Sequence, residues 1–117
     1  MIEIRTGRLQ PPPGTGPRTN TQTYFFDRDL RDCWVALTGY HLGYRHGDHH
    51  LQTIGVDLSA AIRATEFGRG VVVEATLLLR DDNGDDQFDG WVDYLLFVDV
   101  GRRQLDIEGP LDPGVVR

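Results

Sequence analysis

The chain has 117 residues, a formal net charge of −6 and twelve cationic side chains, all of them arginine. That length suits one domain with a hydrophobic core and excludes two such domains flanking a catalytic cleft. The acidic balance, without a basic stripe, excludes a nucleic-acid groove, and the single cysteine, Cys33, excludes an internal disulfide and a Cys-based zinc site.

The first residues, MIEIRTGRLQ, alternate in charge and lack the basic-then-apolar layout of a secretion signal, and the longest apolar run falls short of a membrane span. A soluble product without a membrane span is expected, made in the cytoplasm and then released or built into a particle. Ile2 and Ile4 alternate with Glu3 and Arg5, a weak edge-strand pattern. Residues 10–20, QPPPGTGPRTN, hold four of the six prolines, which favours extended, solvated backbone. Residues 1–20 therefore read as an N-terminal arm that reaches onto a neighbour, 21–108 as the folded domain and 109–117 as a Gly/Pro-rich tail.

After Thr21–Phe26, two β-hairpins are predicted. A turn at His46-Gly47 sets Tyr44 opposite His49, Tyr40 opposite Thr53, Leu37 opposite Val56 and Val35 opposite Leu58. Strand side chains alternate, so Cys33, Val35 and Leu37 join Ile54, Val56 and Leu58 on an inward face. Trp34, Tyr40, Leu42, Tyr44, His49 and Leu51 fall on the other. Asn83-Gly84 is a favoured two-residue hairpin turn. It sets Leu79 opposite Phe88, Ala75 opposite Val92, Val73 opposite Tyr94 and Val71 opposite Leu96. The expected core is Val35, Leu37, Ile54, Val56, Val71, Val73, Ala75, Leu77, Val92, Tyr94, Leu96 and Val98. Only Leu58–Phe67 has room for a helical turn, and Leu105 with Ile107 suggests a short last strand. The predicted class is all-β: an antiparallel β-sandwich of about six or seven strands behind a Pro/Gly-rich N-terminal arm.

Candidate sites lie on the reverse faces and at the turn tips. Tyr40, Tyr44, Asp48 and His49 suit stacking on and hydrogen bonding to a sugar, and the same aromatics suit a subunit contact. Trp34, Trp91, Leu95 and Phe97 form a candidate interface. On the predicted register Glu74 faces Asp93, a like-charge pair that an interface would relieve. His46, Asp48 and His50 alternate as metal ligands can, but the turn breaks the alternation, and a polar turn with an Arg45–Asp48 pair and satisfied histidines is the favoured account. Asp48-His49-His50 matches the DHH phosphoesterases only in three letters, and the cupin spacing is missing. In DDNGDDQFD, Asp81, Asn83 and Asp85 follow part of a calcium-loop spacing, but Asp86 replaces the required glycine, so Ca²⁺ stands beside a solvated acidic tip that discourages edge aggregation. No other cofactor is expected. The chain holds no nucleophile elbow, no phosphate-cradling glycine loop and no carboxylate pair in an apolar pocket, which makes binding rather than catalysis the expectation.

The order YFF, VALTGY, HHLQTIGVDL, GVVVEATLLLRD and FDGWVDYLLFV, over roughly Thr21 to Val100, resembles the H-type lectin domain. The resemblance implies a six-stranded antiparallel β-sandwich that forms trimers or stacked pairs of trimers, and that binds N-acetylgalactosamine-like sugars between protomers. In that family a Thr-Trp pair ends the fifth strand. Here that position reads Leu78-Leu79-Arg80-Asp81, so the sugar-contacting signature is absent and no site residue carries over. Similar small sandwiches serve as modules of phage tails and related injection machines. Two functions are therefore carried forward: a lectin-like binding module that self-associates, and a structural or adhesion subunit of a larger particle.

Overall fold

The computed structural model describes residues 1–45, 51–81 and 87–103. They form six antiparallel strands: β1 (Ile2–Leu9), β2 (Arg18–Tyr24), β3 (Arg28–Tyr44), β4 (Leu51–Thr65), β5 (Gly68–Asp81) and β6 (Phe88–Arg103). Two three-stranded sheets result, ordered β1-β6-β3 and β2-β5-β4, with β6 and β5 central. A small β-sandwich is thus the architecture, as the sequence leads one to expect. Among the described residues there is no helix, and Leu58–Phe67 is strand up to Thr65.

The alternation that defines β5 and β6 also defines the core. Val71, Val73, Ala75, Leu77 and Leu79 of one central strand face Phe88, Val92, Tyr94, Leu96, Val98 and Val100 of the other, and all are buried. Most are flanked on both sides in their own sheet, which is why a strand rich in Val and Leu is favoured there. Their removal from water supplies the main stabilisation of the fold.

Neither predicted hairpin exists as a paired unit. β3 pairs with β6, so that Trp34 opposes Phe97 and Tyr40 opposes Val92. β4 pairs with β5, so that Val56 opposes Leu77 and Leu58 opposes Ala75. β3 and β5 are thus each followed in the chain by a strand of the opposite sheet. The true hairpin is β4–β5, closed by Glu66-Phe67 between Thr65 and Gly68. Gly68 takes a φ of 110°, a conformation that any side chain would strain.

The expected arm is also corrected. β1 pairs with β6 along its whole length, from Ile2–Asp99 to Leu9–Val92, and is an edge strand of the first sheet. The Pro/Gly stretch that follows is tied down: Gly14 exchanges both backbone hydrogen bonds with Phe88, Arg18 donates to the Pro12 carbonyl, and Asn20 donates to that of Gln10. Proline runs lack donors but not acceptors, and here the neighbours use those acceptors. β2 starts at Arg18, within the segment expected to be an arm. The expected last strand at Leu105 and Ile107 and the tail 109–117 lie outside the described residues.

A polar pair sits inside the core. Tyr24 and Tyr94 share a hydroxyl hydrogen bond of 2.5 Å across the two sheets, and a Cβ at Gly7 would overlap both hydroxyls. Gly7 is thus the residue that gives the pair its room.

Candidate functional site

The two outer faces differ in chemistry. That of the β2-β5-β4 sheet is hydrophilic along its middle rows, Thr19–Thr76–Asp57 and Thr21–Glu74–Ser59, with Val72 and Leu78 to either side of them. Thr19 and Thr76 share a hydroxyl hydrogen bond of 2.9 Å there. The outer face of the β1-β6-β3 sheet instead follows Ile4–Phe97–Trp34, then Thr6–Leu95–Ala36, then Arg8–Asp93, then Trp91–His41. All four residues expected at an interface, Trp34, Trp91, Leu95 and Phe97, lie on this one face.

Geometry holds those rings in place. Trp34 and Phe97 stack at 6.2 Å with their planes 12° apart, yet Trp34 stays 46% exposed. The Arg8 guanidinium lies 3.9 Å from the centre of the Trp91 ring while making a two-pronged ion pair with Asp93 at 2.6 and 3.0 Å. That hydrogen bond raises the pKa of Arg8 and lowers that of Asp93. His41 tilts against the other side of the row, 5.7 Å from Trp91. Glu74, expected to face Asp93, lies on the other sheet between Thr21 and Ser59. The like-charge argument for an interface therefore falls, because Asp93 already has its cation.

Tyr40 and Tyr44 leave the aromatic face for a local reason. The β3–β6 register shifts between Leu37 and Gly39, a bulge at Thr38. The extra residue reverses the alternation, so Tyr40, Leu42 and Tyr44 share the inward side with Leu37 while Trp34 points outward. Leu42 and Tyr44 pack against the core. Leu37 and Tyr40 do not close over it: they are 47% and 49% exposed, and Ile54 on β4 is 49% exposed. Leu37 and Ile54, expected in the core, instead line an open seam between the two edge strands β3 and β4. Edge strands have a neighbour on one side only, so their inward residues are covered less well than those of β5 and β6.

Asp48, His49, His46 and His50 lie outside the described residues, as do Asn83 and Asp85; so does the side chain of Asp81, whose backbone ends β5. Among the described residues no three of His, Cys, Asp and Glu come close enough to hold a metal ion, and no helix is long and apolar enough to cross a membrane.

Sequence reasoning missed a second place. At the end of the sandwich away from Tyr44, the β2–β3 connection and the β4–β5 turn enclose a cavity of about 390 Å³ lined by Phe25, Phe26, Arg28, Asp29, Leu30, Phe67, Gly68 and Arg69. Phe25 and Phe67 meet edge to face at 6.4 Å. Nothing in the sequence marked Phe67 as a turn residue, because β4 and β5 were not expected to pair.

Set against known proteins, the chain matches no family model, no curated protein and no solved structure.

Proposed function

We propose that the chain is a self-associating β-sandwich that binds rather than catalyses, lectin-like in kind, and that it assembles through the outer face of the β1-β6-β3 sheet. The observation that carries this reading is the contrast between the two outer faces. One is rich in hydroxyls and charge along its middle rows, while the other sets Ile4, Phe97, Trp34 and Leu95 side by side, with Trp91 beyond the Arg8–Asp93 pair. A contiguous aromatic patch of this kind costs solubility unless it meets a partner, and aromatic enrichment is the compositional mark of contact surfaces. A copy of the same chain is the simplest partner, and the lectin resemblance suggests three or six. In the ligand-binding part of this reading, Tyr40 at the open β3–β4 seam stacks on a saccharide, with Asp48 and His49 as its hydrogen-bonding partners and the ring of Tyr44, whose hydroxyl is buried, as backing.

Light scattering measures the assembly directly. The wild-type chain is expected at a multiple of its 13.2 kDa, and Trp34→Glu and Ile4→Glu, both at exposed positions, are expected at the monomer mass with an unchanged far-ultraviolet spectrum. A monomeric wild type at tens of micromolar overturns the self-association. A glycan array probed with the assembled protein tests the carbohydrate part separately.

The second reading, a structural or adhesion subunit of a larger particle, is favoured by the long open seam at Leu37, Tyr40 and Ile54. Its mark is growth into long assemblies rather than a closed few-copy body.

A further inference from the structure

The cavity between the β2–β3 connection and the β4–β5 turn joins features that folding alone does not require. Phe67 is 77% exposed and Phe25 50% exposed, so two phenyl rings are held at the mouth without being buried. Their positions are fixed rather than loose. The Phe67 backbone N–H donates to the Thr65 hydroxyl at 3.1 Å, and that hydroxyl donates to the Gly68 carbonyl at 2.5 Å, which locks the turn that presents the ring. The Phe25 ring lies over Gly70, where a Cβ would come within 3.1 Å of it, so the absence of a side chain on β5 gives the ring its seat.

Charge is arranged around these rings. Arg28 and Arg69 line the cavity together with Asp29. Arg28 is largely buried, its Nη1 lies 3.6 Å from Glu3, and its Nε–H has no acceptor among the described residues. Glu3 is also hydrogen-bonded by Arg5, whose guanidinium lies 4.8 Å from the centre of the Phe26 ring. One carboxylate is thus shared between two guanidinium groups, beside an Arg28 Nε–H still open to an acceptor. Buried or half-buried guanidinium groups favour a carboxylate because its two oxygens match their forked donors.

We infer that this cavity is a binding site for a saccharide unit that carries a carboxylate. The exposed Phe67 ring would take the C–H face of the sugar with Phe25 edge-on beside it, Arg69 with Arg28 the carboxylate, and Asp29 the hydroxyls. The volume falls in the range of small-ligand sites, and the lining has their usual make-up, aromatic with a few charged groups that fix orientation. The inference rests on the saccharide-binding reading above but places this site away from Tyr40 and Tyr44, at the opposite end of the molecule.

The test is isothermal titration of the full chain with glucuronate and N-acetylneuraminate, with glucose and N-acetylgalactosamine as neutral counterparts and acetate as the bare anion. Saturable binding of an acidic sugar, at least tenfold tighter than its neutral counterpart and tighter than acetate, supports the site. Phe67→Ala and Arg69→Ala should each weaken it tenfold or more at an unchanged melting temperature, since both side chains are exposed. Acidic sugars that bind with undiminished affinity to both variants overturn this site while leaving saccharide binding elsewhere intact. Equal affinity for acidic and neutral sugars, or for acetate, overturns the ligand class, and no binding of any sugar overturns the site and the lectin-like reading together.

Discussion

Tyr94 shows how one residue can tie the two sheets together. It is almost wholly buried, and its hydroxyl is satisfied only by Tyr24 from the opposite sheet. Burial, with the Tyr24 hydrogen bond second, pushes the phenol well above its ordinary pKa. The folded chain therefore keeps a proton that the unfolded chain loses, so this contribution is intact below about pH 10 and drains away as the pH climbs beyond it. Melting curves from pH 8 to 12 should show a steep alkaline decline that Tyr94→Phe flattens. At neutral pH the same variant should cost about 1 kcal/mol, because the Tyr24 hydroxyl is left without its partner. An alkaline decline of equal slope in both proteins counts against the pair. In the sequence Tyr94 was legible as a core residue from its alternation with Asp93 and Leu95, but its partner was not, because alternation reports a face and says nothing of what lies across from it. Tyr40 shows the opposite failure. A Thr-Gly step gives no warning of a bulge, and one extra residue was enough to move Tyr40, Leu42 and Tyr44 from the expected outer face to the inner one.

Among the strands, β1 is the instructive case. Proline and glycine after Leu9 made residues 1–20 read as an arm, although Ile2 and Ile4 already carried the strand pattern. The structure uses that pattern along all of β1, and Leu9 is buried at its end. Removing residues 1–9 should therefore uncover one whole edge of β6, which needs pairing on both sides to keep Leu96 and Val98 dry, and the truncated chain should lose its cooperative melting transition. A truncated chain that melts as the wild type does would show β1 to be dispensable. The core positions of β5 and β6 were readable because central strands repeat one apolar row. The pairings were not, because each apolar row complements several others. The Phe25–Phe67 cavity was unreadable for a related reason: its two walls lie far apart in the chain and meet only through the β4–β5 turn.

The molecule as a whole is a lath rather than a ball. Strands of 14 to 17 residues in β3 through β6 give principal extents of 69 × 26 × 15 Å and a radius of gyration of 19.4 Å. A compact domain of 100 residues has a radius of about 13 Å. Such a body has little interior for its surface, and the half-exposed Leu37, Tyr40, Ile54 and Trp34 follow from that ratio. Assembly through the flat face of the β1-β6-β3 sheet should place copies side by side. X-ray scattering should then give a maximum dimension close to that of the monomeric Trp34→Glu variant while the cross-section grows. A maximum dimension that increases with each added copy would instead favour the particle-subunit reading.

Every ladder except β4–β5 joins segments far apart in the chain, the extreme being Ile2 against Asp99. Loop closure over such separations is slow, so the β4–β5 hairpin is the natural nucleus and the first sheet the last part to close. On the ribosome, β1 must wait unpaired until β6 has been made. The Trp34–Phe97 stack is likewise absent until then, so a nascent chain has no finished aromatic face to offer a sibling. Under the self-association proposed above, the order of synthesis postpones assembly until β6 has been made.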